Sequence, residues 1–170
     1  MSAFDDVFGN SLVNEGGWVL NTIVGDRGKQ TFAGIARFFH PDWDGWKLID
    51  SGDTSSDKLK QLTKDFYLAE FWLPLFCDQF PFKVSLQLFD MGIHSGKIPA
   101  AKTLQLTLAV SIDGLIGPKT IQAAKICDQI RFGAIFNAKR LRYLKKLDDW
   151  KKFNENWSSR IARQLEIGAA

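Results

Sequence analysis

The chain has 170 residues, 45% of them hydrophobic, with 22 Lys and Arg against 19 Asp and Glu for a formal charge of +3. That is enough apolar material for one domain to bury a core without metals or disulfide staples. The two Cys have no His or Cys at metal-ligand spacing, which argues against a zinc site, and no apolar run reaches membrane-spanning length, since the most hydrophobic stretch, Phe66 to Phe76, is interrupted by Glu70 and Pro74.

The N-terminus, Met1-Ser2-Ala3-Phe4-Asp5-Asp6, has neither a basic nor an apolar leader region, so no secretory signal is expected and synthesis in the cytoplasm is. Phe4, Val7, Phe8, Ser11 and Leu12 recur on one helical face, and Gly16-Gly17 ends that helix where a left-handed cap is needed. Glu15 falls on its last turn. There the negative end of the helix dipole, and any burial against Trp18 or Phe32, favour the protonated carboxyl that a general acid requires. The polar loop from Asn21 to Gln30 holds one strand-like piece, Thr22-Ile23-Val24, enough for a small hairpin.

Thr31 to Phe39 reads as a short helical turn closed by His40-Pro41. Asp42 to Trp46 and Asp50 to Ser56 read as loops, with Asp57 as the next N-cap. Leu59, Leu62, Phe66, Ala69 and Leu73 mark one long amphipathic helix stopped near Pro74. Pro81-Phe82 opens a helix whose Val84, Leu88 and Met91 face one way, and Ala100, Ala101, Leu104 and Leu108 mark another. Pro118 launches the next from a position where a missing N–H costs nothing. Ile135, Ala138, Leu141 and Leu144 define a penultimate helix, and Trp157, Ile161 and Leu165 a last one. Cys77 and Cys127 are expected as buried thiols.

Glu15-Gly16-Gly17-Trp18, then Asp26-Arg27-Gly28-Lys29-Gln30-Thr31 and Phe32-Ala33-Gly34-Ile35, resembles the start of glycoside hydrolase family 108, lysozyme-like N-acetylmuramidases of phage and bacterial genomes. Leu88 to Gly96, with Ala100 to Gln105 and Ile112 to Thr120, resembles the peptidoglycan-binding region that follows the catalytic segment in that family, and Asp148 to Arg160 is similar to its C-terminal end. The sequence departs from the family pattern at Trp18, usually Tyr or Phe, at Lys29, usually Gly, and at His94, usually Asn. The resemblance implies an all-α, mainly helical, lysozyme-like fold with one small β-hairpin near the active site, in a single compact domain over residues 1–170. Residues 1–75 would carry the catalytic motif, and 76–170 would form the helical part resembling the peptidoglycan-binding region, with no linker between them.

The activity so implied is cleavage of the β-1,4 bond between N-acetylmuramic acid and N-acetylglucosamine, by an endolysin of prophage type with Glu15 as general acid. Such hydrolysis needs a proton for the leaving oxygen and, in an inverting enzyme, a water on the opposite face of the sugar. Asp26 and Thr31 are the residues to hold that water by two hydrogen bonds; alternatively Asp26 shapes the turn at Arg27-Gly28 and Thr31 caps a helix. Trp18, Trp43 and Trp46 offer flat faces to sugar rings, although Trp serves equally as core. Asp90 and His94, one helical turn apart, either line the cleft or form a buried structural pair. No cofactor and no metal are expected, and no Gly-x-Ser-x-Gly, Walker or dinucleotide-binding pattern is present.

Residues 131–164 hold ten Lys or Arg against three acids. A basic face including Lys139, Arg140, Arg142, Lys145, Lys146, Lys151 and Lys152 suits an anionic polymer of the wall, or is simply a solvated helix surface. The expected partners are bacterial peptidoglycan and a holin or export partner that brings the protein to the cell wall or periplasm. Nucleic acid, membrane insertion and oligomerisation are not expected. Two alternatives remain open at this point: a non-catalytic peptidoglycan-binding or secretion-associated protein on the same fold, and a basic helical nucleic-acid binder.

Overall fold

The computed structural model describes residues 2–22 and 30–170, Thr22 by its backbone alone. Among them the chain forms eight α-helices and one three-stranded antiparallel sheet, grouped into two compact units, Met1–Glu70 and Phe71–Ala170. The mainly helical class is as the periodicity predicts. No described helix is long and apolar enough to cross a membrane.

In the first unit, α1 (Ala3–Asn14) starts at a capping box in which the Asp5 N–H donates to Ser2 Oγ and the Ser2 N–H to Asp5 Oδ2, both at 3.2 Å. Lys64 Nζ donates to Asp5 Oδ1 at 2.8 Å, and this bond, with those from Ser2, holds the Asp5 carboxyl down at about 2. Val7, Phe8, Ser11 and Leu12 form the buried stripe, and Glu15 caps the helix before Gly16 and Gly17, at φ 88° and 76°, turn the chain left-handed.

The sheet runs β1 (Leu20–Thr22), β2 (Gln30–Phe32) and β3 (Ile35–Ala36), with Asn21 opposite Thr31 and Thr31 opposite Ala36. The helical turn predicted from Thr31 to Phe39 is therefore a hairpin. Ala33 and Gly34 both have positive φ, 47° and 84°, the backbone of a two-residue turn that matches strand twist. Such a turn usually advertises itself as Asn-Gly or Asp-Gly, and Ala33 hides it. Tertiary contacts hold Ala33 in place: its N–H donates to Val19 O at 3.1 Å, and its carbonyl accepts the Tyr67 hydroxyl at 2.8 Å.

Two further differences lie close by. α2 (Gly45–Asp50) occupies part of the predicted loop and is too short for periodicity to show. The Arg37 guanidinium fastens its end, donating to both Asp50 carboxylate oxygens at 2.8 and 2.6 Å and lying 5.1 Å over the Trp46 ring. Ser56, not Asp57, caps α3 (Asp57–Tyr67), accepting the Leu59 N–H at 3.1 Å. The long helix predicted to run to Leu73 instead passes into a π-helical turn over Leu68–Trp72. The extra residue per turn rotates the apolar stripe, so Trp72 and Leu75 are buried while Ala69 and Leu73 are exposed.

In the second unit, α4 (Phe82–Ser95) is buried from Val84 to Gly92 and packs against α5 (Lys97–Thr107), α7 (Gln129–Leu144) and α8 (Trp150–Ala169). α6 (Pro118–Lys125) begins on its proline as predicted. The buried face of α7 is Phe132, Phe136, Asn137, Arg140 and Leu144, so of the predicted Ile135, Ala138, Leu141 and Leu144 only Leu144 belongs to it, because much of this interior is polar. Asn137 Nδ2 donates to Gln87 Oε1, and Gln87 Nε2 donates to Gln164 O, each at 2.8 Å.

Arg140, assigned above to a basic surface, is fully buried and donates to Asp90 Oδ2 at 2.7 Å. Arg160 of α8 completes the cluster, donating to Asp90 Oδ1 at 2.8 Å. Burial alone would raise the Asp90 carboxyl, and the two guanidinium groups outweigh it, holding it at about 2. Cys77 is buried and Cys127 only partly so, both as free thiols.

Candidate active site

Glu15 owes its position to the end of α1. Its N–H is bonded back to Leu12 O at 3.1 Å, and the two left-handed glycines after it force the chain away, leaving a half-buried side chain at the corner. The hairpin turn lies against that side chain. A methyl group on Gly34 would stand 3.0 Å from both Glu15 Cβ and Glu15 Oε2 and would collide with the Tyr67 hydroxyl. The carboxyl of Glu15 and the phenol of Tyr67 therefore converge on the backbone of Gly34, and only glycine leaves room for both at this φ.

Tyr67 is buried on α3, its ring 5.3 Å from Phe8 and 5.4 Å from Phe66. Its hydroxyl bond to Ala33 ties α3 to the turn, so α1, the hairpin and α3 together fix the surroundings of Glu15. Phe32 next to the turn is buried against Trp18 and Trp43, at 6.5 and 6.2 Å. Successive strand residues point to opposite faces, so Thr31 faces away from this aromatic core; it is half-buried in the central strand. Asp26 and Lys29 lie outside the described residues.

The three tryptophans of this unit differ. Trp46 is only 2% exposed and its Nε1 donates to His40 O at 2.8 Å, which makes it core. Trp43 packs edge-on to Trp46 at 5.1 Å and sits so close over Gly45 that no Cβ would fit there, with its Nε1 donating to Leu62 O at 3.3 Å. Trp18 and Trp43 remain half-buried, each keeping some ring surface in solvent. Phe38 and Phe39, packed edge-to-face at 5.2 Å and both exposed, are further aromatic surface that the sequence did not single out.

In the second unit, Asp90 is sealed between Arg140 and Arg160, two partners that the expected pairing with His94 did not include. His94 is half-buried, with Nδ1 3.1 Å from Ser95 Oγ and its ring edge-on to Trp157 at 5.5 Å. Burial, then the charges of Arg140 and Arg160, push the His94 imidazole down to about 3 against the opposing pull of Asp90, so the ring is neutral at pH 7.

Gly34 and Tyr67 were not among the residues expected at the site. Gly34 stands inside the motif that carried the resemblance, whereas Tyr67 lies 52 positions from Glu15 in the chain and gave no local signal.

The structure of Brucella abortus SagA resembles this one with a TM-score of 0.74 and 27% sequence identity, covering 97% of this chain and 92% of that one. No curated protein matches the sequence. The Glycosyl hydrolase 108 family matches residues 8–96, slightly more than half of the chain and the part that contains Glu15, Gly34 and Tyr67. The protein therefore belongs to the glycosyl hydrolase 108 family and is a glycoside hydrolase of the lysozyme-like, peptidoglycan-degrading kind.

Proposed function

We propose that the protein is an N-acetylmuramidase that cleaves the β-1,4 bond between N-acetylmuramic acid and N-acetylglucosamine, with Glu15 as the general acid. The observation that carries this reading is the convergence of the Glu15 carboxyl and the Tyr67 hydroxyl on Gly34. A proton donor has to be held in one orientation toward the leaving oxygen, and a side chain pressed against backbone beside a fixed phenol has little freedom to leave it.

Thr31, together with Asp26, holds the attacking water on the other face of the sugar, and the reaction inverts the anomeric centre. Trp18 and Trp43 present the ring surface available for sugar stacking, while Asp90 and Trp46 serve the fold. The helical region from Leu88 onward binds the wall polymer and keeps the enzyme on its insoluble substrate. The setting is lysis from a prophage, with a holin or another export route giving access to the wall.

Glu15→Gln keeps the shape and removes the transferable proton. Turnover on purified peptidoglycan should fall by about 100-fold or more, the scale of general acid catalysis, with an unchanged melting temperature. Thr31→Ala should lower kcat with little change in KM, and NMR of the freshly released reducing end should show inversion. Near-normal turnover by folded Glu15→Gln would remove the acid assignment, and net retention would require a carboxylate nucleophile instead.

A further inference from the structure

The second unit carries an exposed groove whose lining includes none of the residues assigned to cleavage. Ile98, Lys102 and Leu106 recur every four residues along α5, Lys139, Arg142 and Tyr143 recur at three-and-four spacing along α7, and Lys146 lies in the turn just past its end. These two rows border a groove of about 700 Å³, to which Ile112 also contributes. The α5 row spans roughly two helical turns, on the order of 12 Å.

The lining is of two kinds. Ile98, Leu106 and Ile112 are 64%, 45% and 50% exposed, so the groove offers apolar surface to solvent. Lys102, Arg142 and Lys146 are exposed within the lining, and Lys139 Nζ donates to Leu106 O at 2.6 Å. Among the described residues no acidic side chain lines the groove. Asp113, next to Ile112, is engaged elsewhere, accepting from Gln105 Nε2 at 2.7 Å and from the Leu115 N–H at 2.8 Å.

We propose that this groove is the docking site for an acidic amphipathic helix of a partner protein. A helix laid between α5 and α7 would place an apolar stripe on Ile98, Leu106 and Ile112 and bring flanking Asp or Glu to Lys102, Arg142 and Lys146. The combination selects against other occupants. A plain polyanion would satisfy the cations and leave the apolar surface wet, a flat bilayer does not enter a concavity, and a second copy would set one basic groove against another.

The test is fluorescence anisotropy of the full chain with a labelled peptide of about four helical turns, bearing a Leu stripe flanked by Glu. A scrambled peptide of the same composition, poly-glutamate and phosphatidylglycerol vesicles serve as competitors. The amphipathic peptide should bind, and Ile98→Ser and Lys102→Gln/Arg142→Gln should each weaken it by about tenfold or more, with melting temperatures near that of the parent. Should a charge change lower the melting temperature, Ile98→Ser alone carries the comparison. Absence of binding, equal binding of the scrambled peptide, displacement by poly-glutamate or vesicles at equal charge, or indifference to Ile98→Ser would each overturn the proposal.

Discussion

Gly34→Ala perturbs the geometry around Glu15 while leaving the chemistry of every reacting side chain unchanged. The new methyl would sit 3.0 Å from Glu15 Cβ and Oε2 and collide with the Tyr67 hydroxyl, at a backbone φ of 84°. An L side chain in that left-handed region costs about 1–2 kcal/mol. Displacing Tyr67 from its bond to Ala33 O adds about 1 kcal/mol. The variant should therefore be destabilised by roughly 2–3 kcal/mol, read as a lower urea midpoint at unchanged slope, and should melt about 4–12 °C lower. Activity should fall further than stability explains, because a shift of Glu15 by about 1 Å is worth about 100-fold in rate. Tyr67→Phe removes the atom that the methyl strikes, so the double variant should recover part of the lost stability, a coupling expected of residues in contact. A Gly34→Ala enzyme within about 0.5 kcal/mol of the parent and with parental turnover would refute the convergence of Glu15 and Tyr67 on this turn.

The buried cluster in the second unit gives two more tests. Asp90→Asn leaves Arg140 and Arg160 without their counter-charge and should cost about 3–5 kcal/mol in urea unfolding, and a loss under about 1 kcal/mol would contradict the ion cluster. His94 titrates at about 3 in the folded chain against 6.5 unfolded, so its contribution to stability is complete above pH 6.5 and is lost as pH falls toward 3. The one-proton slope is at most about 1.4 kcal/mol per pH unit. His94→Gln should flatten the stability curve between about pH 6 and 4, and an identical slope in both proteins would show that the ring takes up its proton freely in the folded state.

What could be read from the sequence follows from how local each signal is. α1, α4 and α6 were legible because Val7, Phe8 and Leu12, or Val84, Leu88 and Met91, repeat on one face and because Gly16-Gly17 and Pro118 mark the ends. The hairpin at Ala33-Gly34 was not, since its left-handed Ala33 is held by Val19 and Tyr67 from elsewhere in the chain. The inward face of α7 was misread for a related reason: Asn137 and Arg140 are buried on hydrogen bonds to Gln87 and Asp90, partners that a hydrophobic pattern does not register. At the candidate site, Glu15 was singled out because motif and helix end coincide there. Tyr67 reaches Glu15 only through the fold, and Trp46 looked like a platform because sequence alone does not separate a ring on the surface from one in the core.

The most direct measurement is mass spectrometry of the fragments released from purified peptidoglycan by the parent enzyme and by Glu15→Gln. The account predicts disaccharide-peptides ending in a reducing N-acetylmuramic acid from the parent, and almost none from the variant. Fragments ending in reducing N-acetylglucosamine, or the same products at the same rate from Glu15→Gln, would contradict it.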